Sequence, residues 1–173
     1  MRPTSTLLLA AAVVGCAAQR AQGPLDVPLG LTVDATAQAV RRYDFCRAAP
    51  ADGVGDRSRE LFPQCGRPGV AFADAWVVAH YRGDRLVRLQ RFERWAEADR
   101  AAARWNQLIE RRSTRGGPSA TARDRLFARQ GLPAHVQSWV AFERDDALVG
   151  LYLLTPTSPT EPAILEELTP LTP

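Results

Sequence analysis

His80 and His135 are the only histidines in the chain, so any imidazole general base or metal site must use one or both. His80 falls within the first of two similar stretches and His135 near the start of the second, and they would work together only if the fold brought them into contact. Surface or satisfied histidines are the plainer expectation. Ser58 and Ser138 have no base beside them in sequence. Glu93 and Glu143 are the carboxylates that could pair as acid and base, but nothing in their spacing separates that role from solvated charge. There is no Gly-rich phosphate loop, Gly-x-Ser-x-Gly elbow or His-Glu-x-x-His motif. No motif calls for a cofactor or a metal, and the reading at this level is that the chain is not an enzyme.

The three cysteines are more informative. Cys16 stands alone near the N-terminus, while Cys46 and Cys65 lie within one loop-rich segment. An oxidising compartment would join Cys46 to Cys65. A loop of about 20 residues closed in this way contributes roughly 3 kcal/mol in the chain-entropy model. A redox pair or two metal ligands are the alternatives, but the spacing is far from Cys-x-x-Cys and no His or Cys cluster lies nearby.

Around Cys16 the chain reads as an export signal. Arg2 is followed by the apolar run Leu7-Leu8-Leu9-Ala10-Ala11-Ala12-Val13-Val14, too short to span a bilayer. Val13-Val14-Gly15-Cys16 resembles the bacterial lipobox. That resemblance implies a signal peptide over 1–15 and lipidation of Cys16 (diacylglycerol on the thiol, an acyl chain such as palmitate on the new amine), with residues 16–28 as a tether. Ala17, by analogy with enteric sorting, implies the outer membrane, facing the periplasm. The alternative is ordinary signal-peptidase cleavage near Ala17-Ala18 or Ala21, with Cys16 discarded.

The elements that must position these residues follow from periodicity. Trp76–Leu89 and Trp139–Leu151 both carry Trp-Val, then Arg-x-Asp-x-Leu-Val-x-Leu. Alternating aromatic and β-branched residues around a Gly/Asp turn predict two β-hairpins. Arg82-Gly83-Asp84 spells an adhesive tripeptide, but Gly and Asp are there as turn formers. A helix is expected over Val33–Tyr43, capped by Thr32 or Asp34. A second is expected over Glu93–Arg112, with Trp95, Ala98, Ala102, Trp105 and Ile109 as the apolar stripe and Arg104 off it. A third, capped by Ser119 or Thr121, ends near Gln130. Val149, Leu151 and Leu153 alternate with Gly150, Tyr152 and Leu154, so the last strand of the second hairpin should be central or covered on both faces.

The expected fold is α+β: two αββ units making a four-stranded antiparallel sheet with helices packed on one face, in a single domain over 29–155. Residues 156–173, rich in Pro and Thr, read as a disordered tail. The segment Asp44–Asp74 is a long loop with Phe62, Arg67 and Phe72 as possible partner contacts. The favoured reading of its aromatics is that they cover the open end of the core.

Composition narrows the partners. The chain has 173 residues, 46% apolar and 24% charged, as in an ordinary globular domain. All 22 basic residues are Arg and the net charge is +3, too weak to argue for nucleic acid. Arg is dense over 82–129 and acid over 143–167. These read as solvated faces, with an anionic lipid headgroup or glycan phosphate as the alternative.

The order Leu29-Gly30-Leu31-Thr32…Val40, a hairpin, a helix stopped at Gly117-Pro118 and a second hairpin resembles small secreted bacterial proteins. It is similar to the αββ-repeat architecture of the β-lactamase-inhibitor-protein fold and, more distantly, to the small lipoprotein of the outer-membrane β-barrel assembly machine. The resemblance implies binding through a sheet face or loops, without catalysis. The functional expectation is a membrane-anchored lipoprotein of the bacterial cell envelope that binds another envelope protein. Alternatives are a secreted or tethered hydrolase inhibitor and a small envelope enzyme with an unrecognised site.

Overall fold

The computed structural model describes residues 23–48, 59–66, 75–144, 146–155 and 161–172. Cys16, Ser58, Arg67 and Phe72 lie outside them. Among the described residues, three helices and six strands follow in chain order: α1 Val33–Arg41, β1 Arg59–Pro63, β2 Ala75–Arg82, β3 Arg85–Arg94, α2 Ala98–Ser113, α3 Ala120–Gln130, β4 Val136–Glu143, β5 Ala147–Leu154 and β6 Ala163–Pro170. Every strand pairing is antiparallel, in the order β1-β2-β3-β6-β5-β4.

The class is α+β as expected, but the sheet has six strands rather than four. Both predicted hairpins form, as β2–β3 and β4–β5. Two strands were not expected. β1 arises inside the long loop. β6 arises from the supposed tail and fills the space between the hairpins, pairing with β3 on one side and β5 on the other. The two hairpins therefore never touch as neighbours, and the contiguous αββ repeat is corrected by this topology.

Helices cover both faces, which corrects the one-sided arrangement. Directly paired residues share a face, and neighbours along a strand alternate. On one face α1 places Val40 against Val77, Ala79 and Leu89, and α2 places Ala101 and Leu108 against Leu151, Leu153 and Ile164. On the other, α3 places Ala122 and Leu126 against Ala141 and Leu148. β5 is thus sandwiched, which accounts for its two apolar faces: all its residues but the last are buried.

Local chemistry explains the helix limits. Thr32 Oγ1 accepts from the Ala35 amide, and Ser119 Oγ from the Ala122 amide at 3.1 Å, each satisfying an orphan donor of a first turn. Gly131, with φ of 66°, ends α3. α2 begins five residues later than its predicted start because β3 runs on to Arg94 to pair with Ala163. Gly150 is required for a different reason. The Tyr152 ring folds back over it, and a Cβ there would lie 2.5 Å from the Tyr152 hydroxyl.

One further departure concerns the start of the domain. Leu25 and Val27, placed by sequence in the tether, are fully buried in the main core. Phe62, proposed as a partner contact, is likewise buried there at 0% exposure. It covers the core, as the plainer reading held, and has no surface to offer a partner.

Candidate functional site

The residues that looked most chemical do not converge. His80 is on β2 and His135 just precedes β4, with β3, β6 and β5 between those strands. Four interstrand steps put at least about 19 Å between them across the sheet alone, and by register His80 lies toward the Glu143 end of β4, away from His135. His80 Nε2 lies 3.0 Å from Gln90 Oε1. Burial, reinforced by Arg88 and Arg59, holds it below the usual imidazole pKa, despite the opposing Gln90 hydrogen bond. Glu93 and Glu143 are on opposite faces of the sheet. Glu93 is buried in ion pairs, whereas Glu143 is exposed and 3.4 Å from Arg125. Ser138 is on edge strand β4. Trp105 donates its ring N–H to the Leu151 carbonyl at 3.4 Å, as a core anchor would. Among the described residues no three His, Cys, Asp or Glu side chains are placed to hold a metal ion.

What the fold does assemble is a chain of buried charge that the stripe on α2 concealed. The buried residues of α2 are Ala101, Arg104, Leu108 and Arg112, so two arginines sit on its inner face. Arg104 grips Glu93 with a two-pronged contact, Nε and Nη2 each at 2.9 Å from a carboxylate oxygen. Arg91, on the same strand as Glu93, lies 3.2 Å from it through Nε and 2.7 Å from Glu166 through Nη2. These two Arg91 nitrogens face their carboxylates at ion-pair distance without hydrogen-bond alignment. Arg112 Nε donates to Glu166 at 2.9 Å. Desolvation opposes each of these charges, so they persist only because each has a partner of opposite sign.

This network also holds the start of the domain. Glu166 accepts from the Leu25 amide at 3.2 Å, Arg112 donates to the Leu25 carbonyl at 2.9 Å, and Arg91 Nη1 to the Gly23 carbonyl at 2.7 Å. Residues 23–25 are clamped by side chains from β3, α2 and β6.

The clamped segment forms one wall of a cavity of about 510 Å³, closed by the C-terminal ends of α1 and α2 and by Phe142–Arg144 at the end of β4. Five arginines line it (Arg42, Arg111, Arg112, Arg115 and Arg144) against two carboxylates, Asp26 and Glu143. Arg115 and Arg144 converge on Asp26, the former at 2.5 Å. Burial would raise the Asp26 pKa, but these arginines outweigh it and hold the carboxyl below its usual range. The Tyr43 hydroxyl accepts from the Asp26 amide at 2.8 Å. Burial raises its pKa, keeping the O–H protonated.

The disulfide expected from the cysteine count is present: Cys46 and Cys65 are bridged, with Cα atoms 4.9 Å apart. It sits at one end of the sheet. Residues 45–48 run along the outer edge of β1, where Phe45 bridges Gln64, the Cys46 amide donates to the Pro63 carbonyl at 2.9 Å and the Ala48 amide to the Leu61 carbonyl at 3.2 Å. The opposite edge, β4, is different. The Ala141 carbonyl points outward and accepts from the Ser119 amide at 2.8 Å. The backbones of Trp139 and Glu143 face the same way by alternation, and among the described residues they have no backbone partner on that side.

Compared with protein-family models, curated proteins and solved structures, the chain matches none.

Proposed function

We propose that the chain is a lipoprotein of the bacterial cell envelope, anchored through Cys16, whose folded domain is a non-enzymatic protein-binding module. The observation that carries the binding reading is the asymmetry of the sheet. One edge is closed by a disulfide-pinned segment, and the other presents β4 with outward backbone groups to spare. Such an edge accepts an extended segment of a partner as a seventh strand. Main-chain hydrogen bonds then give affinity and alternate side chains give specificity.

The address is supported by the cysteines. Two of the three are joined in the fold, as in an exported protein, and the third is the residue that the Val13-Val14-Gly15-Cys16 resemblance would lipidate. Gly23 is seven residues beyond Cys16, so an acylated Cys16 would hold the domain within roughly 24 Å of the bilayer surface. Outer-membrane placement facing the periplasm remains part of this proposal, by the Ala17 analogy.

Intact mass of the protein extracted from its native membrane tests the anchor. The expected product begins at Cys16 and carries diacylglycerol and an acyl chain, both lost in Cys16→Ala. A soluble product cleaved beyond Cys16 overturns it. Photo-crosslinkers at the exposed Gln137 of β4 and the exposed Arg59 of β1 test the binding edge. One dominant protein adduct is expected from position 137 and none from 59. Equal adducts, or none from 137, overturn the edge.

A further inference from the structure

We propose that the arginine-lined cavity between the C-terminal ends of α1 and α2 is a binding site for a phosphate ester. Arg112 is satisfied by Glu166. That leaves Arg42, Arg111, Arg115 and Arg144 in the lining against Asp26 and Glu143. Arg115 and Arg144 share Asp26, and Glu143 also faces Arg125 outside the cavity. Arg42 and Arg111 have no carboxylate partner among the described residues.

The competing explanation is that these arginines merely complement helix ends. Arg42 caps α1, and Arg111 is in the last turn of α2. A helix C-terminus presents about half a negative charge, so two present roughly one. This removes part of the excess. It leaves at least one guanidinium without a compensating charge in a concave site, where an external anion meets several donors at once.

The donor set selects the anion. Guanidinium groups offer planar forks that match phosphate oxygens. The Tyr43 hydroxyl accepts from Asp26 and so keeps its own O–H to donate. The volume, about 510 Å³, admits a phosphate with an organic substituent. Asp26 shows how the site already holds an internal anion between two arginines, leaving the other two for a ligand. A phosphate ester could reach the cavity as a free metabolite-sized molecule or as a lipid headgroup. The second source depends on the membrane-anchored reading above, the first does not.

The test uses the full-length protein as purified from membranes. Glycerol 3-phosphate is titrated calorimetrically, and co-sedimentation is measured with phosphatidylcholine vesicles with and without phosphatidic acid. Saturable binding of at least one probe is expected. Arg42→Gln combined with Arg111→Gln should weaken it at least tenfold. Arg111→Lys, which keeps charge but loses the fork, should weaken it several-fold and serves if the double variant unfolds. Arg100→Gln, an exposed change near the other end of α2, should leave it unchanged. Binding of glycerol 3-phosphate without preference for phosphatidic acid assigns a free ester; binding only to phosphatidic acid vesicles assigns a headgroup. No saturable binding of either probe, wild-type affinity in both Arg111 variants, or equal loss in Arg100→Gln overturns the site.

Discussion

Glu93 and Glu166 are each held by arginines from two directions, in an interior where an unpaired charge would be costly. The consequence is acid lability with a definite sign. Burial would raise the Glu93 pKa, but Arg91 and the hydrogen-bonding Arg104 outweigh it and set the carboxyl below its ordinary value of 4.5. A carboxylate depressed in the folded state adds stability that is fully present above its unfolded pKa. That stability is lost as pH falls through the folded value. The urea midpoint should therefore hold from pH 7 to about 5 and then drop. In Glu93→Gln it should be lower at pH 7 and fall less steeply below pH 5. A variant with an unchanged acid slope would remove Glu93 from the account. None of this charge chemistry was legible in the sequence, because Arg scores as polar in any periodicity. Of the stripe Trp95-Ala98-Ala102-Trp105-Ile109, Trp95 precedes α2 and Ala98 is exposed, while Ala102, Trp105 and Ile109 do lie against the core. The deepest line, however, is Ala101-Arg104-Leu108-Arg112. Arg104 and Arg112 find their partners 11 and 54 residues away, a distance at which local pattern carries no information.

Among the elements, the hairpins and the three helices were readable because each obeys a local rule: alternation around a tight turn, or a 3.6-residue period, with a capping Thr or Ser ahead of it in α1 and α3. β1 obeys none. Its five residues, Arg59–Pro63, alternate poorly and end in proline, which a strand tolerates only at an edge or a terminus. β1 is a strand because β2 offers it an edge on one side and residues 45–48 close it on the other. The disulfide fastens that closure across a sequence separation of 19. Replacing both cysteines, Cys46→Ala with Cys65→Ala, should cost about 2–4 kcal/mol. The loss should be uneven. Amide exchange should accelerate first in β1 and in residues 45–48, while β5 and β6 stay protected. A uniform loss of protection would mean that the bridge stabilises the whole domain equally and does not specifically hold this edge.

For the molecule as a whole, the last strand decides the architecture. β6 was hidden by its surroundings: Pro162 before it, Thr169-Pro170 at its end and Glu166-Glu167 in its middle. Adjacent carboxylates argue for solvent, yet both are fully buried, because the strand turns them to opposite faces. Glu166 meets Arg91 and Arg112 on the side of α1 and α2. Glu167 meets Arg88, and accepts from Gln130 of α3 at 2.7 Å, on the other side. Each half of the dipeptide is neutralised by a different layer, so β6 is tied to both layers as well as to both hairpins. Without it, β1-β2-β3 and β5-β4 share no ladder hydrogen bond, and the Glu166 and Glu167 contacts of Arg91, Arg112, Arg88 and the Leu25 amide disappear together. A chain ending at Thr160 should therefore lose cooperative unfolding and native amide protection throughout, not merely at one edge. A synthetic peptide spanning residues 161–173, added in trans, should restore both by pairing into the gap between β3 and β5. If the truncated chain instead unfolded with a sharp transition near that of the full-length protein, the two hairpins would have to be held together by α2 and the apolar core alone, and β6 would be an ornament on a sheet that does not need it.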